Sequence, residues 1–167
     1  MVNKRSWLMA VAAVTILGTG CGRSDGPGNE PGGAPPPTAE TLGEQVVLSV
    51  AEYLATEPYA SANRANGERQ AAFCKACHSL GKDGPHMNGP ALYGFFGSKV
   101  GARQGFEYSQ VMREADFVWT PEALDAWLVQ PGRFMPGNRM GFAGVQDKDD
   151  RDDIIAYLLE VTSSGER

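Results

Sequence analysis

Residues 73–78 read Phe73-Cys74-Lys75-Ala76-Cys77-His78, and the C-x-x-C-H spacing inside this stretch is the attachment signature of a covalently bound c-type haem. On a helix, Cys74 and Cys77 stand at i and i+3 on one face, where two thiols can form thioethers to one porphyrin edge. His78, at i+4 from Cys74, then lies where its imidazole can serve as an axial ligand, oriented by an acceptor on its other ring nitrogen. Three plainer readings compete. A redox-active dithiol wants a βαβ context, whereas these flanks are helical before the motif and Gly/Pro-rich after it. A structural zinc site wants four ligands, and only Cys21 and His86 remain as soft ligands. A structural disulfide is the third.

The 167 residues exceed one small haem domain and hardly suffice for two. The formal net charge is −5, so nucleic-acid binding has no electrostatic support. Removing residues 1–20 takes away Lys4 and Arg5 and leaves 13 basic against 20 acidic groups, a formal −7.

Lys4 and Arg5 precede an apolar run of 11 residues, Trp7 to Leu17, which is too short to span a bilayer and has a signal-peptide pattern. The run leads through Gly18-Thr19-Gly20 to Cys21, and a cysteine so placed resembles the lipidation site of bacterial lipoproteins. Gly18 stands where that box prefers Leu; ordinary cleavage nearby and an uncleaved anchor are the alternatives. Residues 1–21 are thus read as a signal or anchor segment with Cys21 as candidate lipidation site. Residues 22–40, rich in Gly and Pro and ending near Pro35-Pro36-Pro37, are read as a disordered linker. A helix is predicted over about 41–56, with Thr41 as cap, Glu44 three residues on, and Leu42, Val46, Val47, Val50, Tyr53 and Leu54 at helical spacing. Tyr59 to Asn66 is read as a connection, so that 41–66 precedes a haem domain at 67–167.

Within that domain, Gly67 to His78 is predicted as the first helix. The glycines and aromatics of Gly89-Pro90-Ala91-Leu92-Tyr93-Gly94-Phe95-Phe96-Gly97 suit a backbone wrapped closely around a flat ligand. A phosphate loop would need G-x-x-x-x-G-K-[ST] after a strand, which is lacking. Thr120 caps and Pro121 opens a helix presenting Ala123, Leu124, Trp127 and Leu128, which stops before Pro131-Gly132. Trp119 and Trp127 can be read simply as core aromatics. A last helix, about Lys148 to Val161, buries Ile154, Ile155, Leu158 and Leu159. Its Asp149, Asp150, Asp152 and Asp153 are read first as helix-terminus charges and second as a docking or metal site.

With these stretches in view, residues 67–161 resemble a class I cytochrome c of the mitochondrial and photosynthetic-bacterial type. The matching stretches are the C-x-x-C-H motif, Gly89 to Gly97, Gly105-Phe106-Glu107-Tyr108-Ser109, Trp119, Leu124 to Pro131, Pro136-Gly137-Asn138-Arg139-Met140, and Ile154 to Leu158. The resemblance implies an all-α fold, three or four core helices around one covalent haem c with its iron, to which the 41–56 helix is extra. It implies that the Pro90 carbonyl accepts from His78, and that Tyr108, Ser109 and Trp119 surround a propionate. Trp127 stands where the family has a tyrosine and Asn138 where it has a threonine; Ser98 replaces a common arginine, and Phe142 is counted with the pocket.

For the sixth ligand the candidates are Met87, Met112, Met135, Met140 and His86, since a thioether or imidazole is what haem iron accepts opposite histidine. His86 and Met87 sit on the proximal side, and Met112 reads as core packing. Pro136-Gly137 can lay Asn138 to Met140 against the haem, and Met140 matches the family's ligand, with Met135 next. The implied function is non-enzymatic: one-electron transfer between membrane-associated partners such as a quinol:cytochrome c oxidoreductase, a terminal oxidase or a dehydrogenase. Its place would be the periplasmic side of a bacterial membrane, held there by the N-terminus. A haem sensor or peroxidase-like enzyme with an open distal position, and a tethered electron-entry subunit of a larger oxidase or dehydrogenase, are the other readings. Related carriers ring the haem edge with lysines, whereas here the matching positions keep mainly Arg133 and Arg139, with Phe73 and Gly132 uncharged and Asp147 acidic, so recognition is expected to be less electrostatic.

Overall fold

Gly67 sits at the contact that closes the molecule. A computed structural model describes residues 38–163, which belong to one unit of the chain, Pro35–Arg167. The readings of residues 1–21 as an anchor, of Cys21 as a lipidation site and of most of the linker lie outside the described residues.

The described residues form seven helices in order: α1 (Val50–Leu54), α2 (Arg64–Gln70), α3 (Ala72–Lys75), α4 (Gln110–Glu114), α5 (Pro121–Val129), α6 (Pro131–Phe134) and α7 (Lys148–Val161). Among the described residues there is no strand, only an isolated antiparallel bridge between Lys99 and Val118. The all-α fold is thus observed. No helix among the described residues is long and apolar enough to cross a membrane.

The most extensive helix contact is that of α2 with α7. A Cβ on Gly67 would overlap the main-chain carbonyl oxygen of Asp153 and come within 2.9 Å of the Tyr157 Cβ, so only glycine allows the two backbones this close. Polar groups fix the register. Asp153 accepts from the Asn63 N–H (2.6 Å) and from Asn66 Nδ2 (2.8 Å), Asp150 accepts from Asn66 Nδ2 (2.7 Å), and Arg64 pairs with Glu160 at 2.6 Å. Asp153 is buried, and it places a carboxylate at the positive end of α2.

α7 spans the predicted Lys148 to Val161, but its acidic residues divide their work. Asp147 caps, accepting from the Asp150 N–H at 3.0 Å, and Asp149 and Asp150 occupy the first turn. Asp152 binds Lys148 at 2.7 Å, so Asp152 and Asp153 are packing partners rather than terminus charges. Ile154, Ile155, Leu158 and Leu159 are all buried. Buried Arg151 ties α7 to α5 through Asp125 (2.7 Å) and to the preceding loop through the Val145 and Gln146 carbonyls.

Two predicted boundaries are corrected. The helix over 41–56 shrinks to α1, because Gly43 adopts φ +73, and a left-handed residue breaks the helical path. Ser49, not Thr41, is the cap, with Glu52 completing a reciprocal capping box. Thr41 instead closes a turn, its Oγ1 accepting from the Thr38 N–H at 2.7 Å. Val46 and Val47 are 67% and 50% exposed, so the apparent stripe is not one face. Thr38 to Glu40, assigned to the linker, belong to that turn, and the Ala39 N–H donates to the Phe134 carbonyl. The first haem-domain helix starts earlier than Gly67, at Arg64 behind the Asn63 cap, and its path to His78 is split into α2 and α3. α5 starts as predicted, with the Ala123 N–H donating to Thr120 Oγ1 at 3.2 Å. Pro131 both ends it and opens α6.

Two predictions follow from this packing. Gly67→Ala gains about 1 kcal/mol of helix propensity, but overpacking costs about 1–3 kcal/mol, and a main-chain carbonyl cannot swing aside. The guanidinium midpoint of the holoprotein is therefore expected to fall; an unchanged or raised midpoint would refute the close crossing. Tyr59 is 7% exposed, and burial, aided by Glu122, pushes its phenol well above the usual tyrosine range. The folded state thus keeps a proton that the unfolded chain loses above about pH 10, so Tyr59's contribution is complete below that pH and is lost as pH rises towards the folded value. Denaturant titrations should show Tyr59→Phe flattening the alkaline loss of stability by up to about 1.4 kcal/mol per pH unit.

Candidate haem site

The motif lies on α3 and the turn that continues it: the Cys77 and His78 N–H groups both donate to the Cys74 carbonyl, at 3.1 and 2.9 Å. Cys74 and Cys77 are free thiols about one helical turn apart, so the disulfide reading does not hold. Burial pushes the Cys74 thiol up. No group of three or more His, Cys, Asp or Glu side chains assembles a metal site among the described residues, which leaves the zinc reading and the acidic-cluster metal reading without a ligand set there.

Both cysteines border a cavity of about 490 Å³ whose walls come from α3, α4, α5, α7 and the loops between them. Its size is that of a cofactor site, and protein interiors do not otherwise leave such voids. Its lining includes Cys74, Cys77, His78 and Pro90, together with Asn138, Met140 and Phe142. Tyr108, Ser109, Trp119 and Trp127 line it as well. Every pocket residue named from the sequence therefore borders one space. Phe95, Met112, Leu124, Leu128 and Leu158 supply the apolar remainder. Of these, Met112 was read from sequence as ordinary core packing. Periodicity marks such a residue as inward-facing but cannot tell a packed core from a cavity wall.

His78 is fixed by two contacts. Its Nδ1 donates to the Pro90 carbonyl at 2.6 Å, which leaves Nε2 as the free, unprotonated nitrogen. Burial lowers the His78 pKa, opposed by the Pro90 bond, so the ring is held neutral. Gly89 lies against the ring; a Cβ there would come within 2.6 Å of Nδ1 and 2.7 Å of Nε2. The absence of a side chain at 89 is thus what lets the imidazole reach its position.

Asn138, also in the lining, ties its loop together. Its Nδ2 donates to the Pro131 and Met135 carbonyls (2.9 and 2.8 Å), and its Oδ1 accepts from the Met140 N–H at 2.8 Å. Met135 is buried in the core at 5% exposure and does not border the cavity. His86 has both ring nitrogens engaged, Nδ1 accepting from the Ala91 N–H (3.0 Å) and Nε2 donating to the Gln104 carbonyl (2.9 Å), and neither it nor half-exposed Met87 borders the cavity.

The Ser109 hydroxyl is buried without a hydrogen-bond partner. A buried hydroxyl left unpaired is costly, so at a cavity wall it marks a place for a polar group of a ligand. Arg103, whose guanidinium donates to the Tyr93 carbonyl, also borders the cavity and supplies a cation although Ser98 is no arginine. Burial raises the Tyr108 phenol pKa, opposed by the Arg103 charge, so it stays a neutral donor. Free thiols, an oriented neutral imidazole, apolar walls and an unpaired hydroxyl together fit a covalent haem.

Residues 64–162 match the family described as Cytochrome c. The chain is 42% identical over 90 residues to a cytochrome c of Chlamydomonas reinhardtii, covering 54% of this chain and 80% of that protein. It is 34% identical over 110 residues to cytochrome c2 of Blastochloris viridis, covering 66% and 87%, and 42% identical over 93 residues to a cytochrome c homolog of Bradyrhizobium diazoefficiens, covering 55% and 50%. The family match takes in the whole cavity-bearing part and begins after α1. This chain belongs to the cytochrome c family, as a monohaem c-type electron carrier with one covalently attached haem c.

Proposed function

We propose that His78 and Met140 are the axial ligands of this haem, that Cys74 and Cys77 hold it by thioethers, and that the carrier works from the periplasmic face of a bacterial membrane. The observation that supports the ligand set is that a neutral imidazole with free Nε2 and Met140 border one cavity, which Met135, Met87 and His86 do not; Met112 also borders it, and Met140 is preferred because it matches the family's ligand position, in a loop that Asn138 holds. Haem iron supplies one-electron chemistry, alternating between ferrous and ferric states. Pro90 orients the imidazole, Asn138 fixes the backbone at Met140, and the apolar walls exclude water. The pocket roles of Tyr108, Ser109, Trp119, Trp127 and Phe142 are those of wall and polar contact. With Met140 on the distal side no position is left for a substrate, which favours a carrier over a sensor or peroxidase-like enzyme.

Export is supported by the N-terminal segment, since an apolar run behind Lys4 and Arg5 is a targeting pattern. Anchoring through Cys21 would hold the carrier near membrane partners, of which a quinol:cytochrome c oxidoreductase, a terminal oxidase and a dehydrogenase are the classes that suit it. At the cavity rim Phe73 is 68% exposed, so docking there has an apolar component, and a tether would offset weak charge steering by raising local concentration.

Met140→Ala is expected to abolish the weak sulfur-to-iron absorption band at the red end of the ferric spectrum and to lower the midpoint potential, because a thioether favours ferrous iron. Met135→Ala should keep the band; the reverse pattern overturns the assignment. For anchoring, cells fed radioactive palmitate should label the wild-type protein and not Cys21→Ala. Equal labelling, or none, rules out acylation at this cysteine.

A further inference from the structure

The arm formed by residues 38–49 lies outside the stretch shared with the family, yet it is bonded to the back of the cavity wall. The Gln45 side chain takes both backbone groups of Val118: its Nε2 donates to the Val118 carbonyl and its Oε1 accepts from the Val118 N–H, each at 2.8 Å. The Ala39 N–H donates to the Phe134 carbonyl at 3.2 Å, and a Val47 methyl lies over Gly97. Buried Tyr53 in turn holds the arm, its hydroxyl donating to the Val46 carbonyl (3.0 Å) and accepting from the Leu48 N–H (3.1 Å).

These attachment points flank a closed quartet of rings. Phe117 meets Trp119 at 5.1 Å, Trp119 meets Trp127 at 5.5 Å, Trp127 meets Phe134 at 5.7 Å, and Phe134 returns to Phe117 at 5.7 Å, all edge to face. Trp119 and Trp127 border the cavity; Phe117 and Phe134 stand behind them. Gln45 grips the residue between Phe117 and Trp119, and Ala39 grips Phe134 itself.

We propose that the arm is a positioning strap for the aromatic wall of the haem site, with Gln45 as its positioning residue. The proposal rests on the cavity being the haem site and not on which residue is the sixth ligand. A carboxamide is needed because it donates and accepts at once, whereas a carboxylate only accepts. With the clamp released, the Val118-Trp119 backbone keeps its bonds to Gly97 and Ser98 but loses its outer restraint. The rings then loosen and water reaches the cavity. Water favours the more highly charged oxidised site, so the potential falls.

The test uses the full-length holoprotein with Gln45→Ala, Gln45→Met and, as control, Val46→Ala at the exposed neighbouring position. Redox titration and the near-ultraviolet circular dichroism of the tryptophans are read together. Both Gln45 variants should show a lower midpoint potential and weakened tryptophan fine structure, with the control at wild-type values. If Gln45→Ala does not accumulate, Gln45→Met decides, since it keeps the length and adds no charge while removing both the donor and the acceptor. Gln45 variants with reduced stability but wild-type potential and tryptophan signals would overturn the proposal, as would a control that shifts equally. Loss of the ferric red band in the Gln45 variants would also overturn it, because the effect would then run through the sixth ligand. A wild-type protein lacking that band refutes Met140 alone and leaves this comparison intact.

Discussion

Where α2 crosses α7 the two backbones touch, and that contact requires a residue without a Cβ at position 67. The rest of the molecule depends on it because the haem motif follows directly on α2 and the buried stripe of α7 closes the core from the other end of the chain. Asn63, Arg64 and Asn66 meet Asp150, Asp153 and Glu160 around the crossing, so steric and polar terms fix the same register. A one-residue slip would bring a Cβ against the Asp153 carbonyl and would also leave the buried Asp153 carboxylate unpaired in the interior.

The core so closed is hollow. Hydrophobic residues from several segments line about 490 Å³ that a bare polypeptide would have no reason to keep. Cavity and ligand chemistry suit each other: the lining is mostly apolar, as a macrocycle would require, and Ser109 and Arg103 add polar groups of the kind that its carboxylates would need. His78 shows how little freedom remains, with Pro90 on one nitrogen and Gly89 against its ring.

Two departures from the family's usual residues are absorbed by local geometry. Asn138 uses its amide to tie Pro131, Met135 and Met140 into one loop, a role that fixes backbone. Trp127 joins Trp119, Phe117 and Phe134 in a ring of edge-to-face contacts, and such contacts add to what burial alone gives. That ring is large and stiff. It gives the arm before α1 something definite to hold.

Much of the site could be read directly from the residues. The attachment motif is local, since its spacing carries the chemistry, and α5 and α7 announce themselves by cap, proline and apolar stripe. The resemblance to class I cytochromes c, with the turn at Pro136-Gly137, then named Met140 and the other pocket residues, all of which border the one cavity. What sequence patterns could not settle was anything decided by a partner far away in the chain. A stripe at 42–54 suggested one helix, but Gln45 is committed to Val118, 73 residues on, and Gly43 turns the backbone out of helical space. Asp152 and Asp153 read as helix-terminus charges until Lys148 and α2 claimed them. Met112 read as core until the cavity opened beside it. By itself, then, the sequence determined the helical class, the haem attachment and the helices whose signals are local. The tertiary structure alone decided the course of the arm, the use of each carboxylate and which inward residues face a ligand, because burial and hydrogen bonding between distant segments leave no periodic mark in either one.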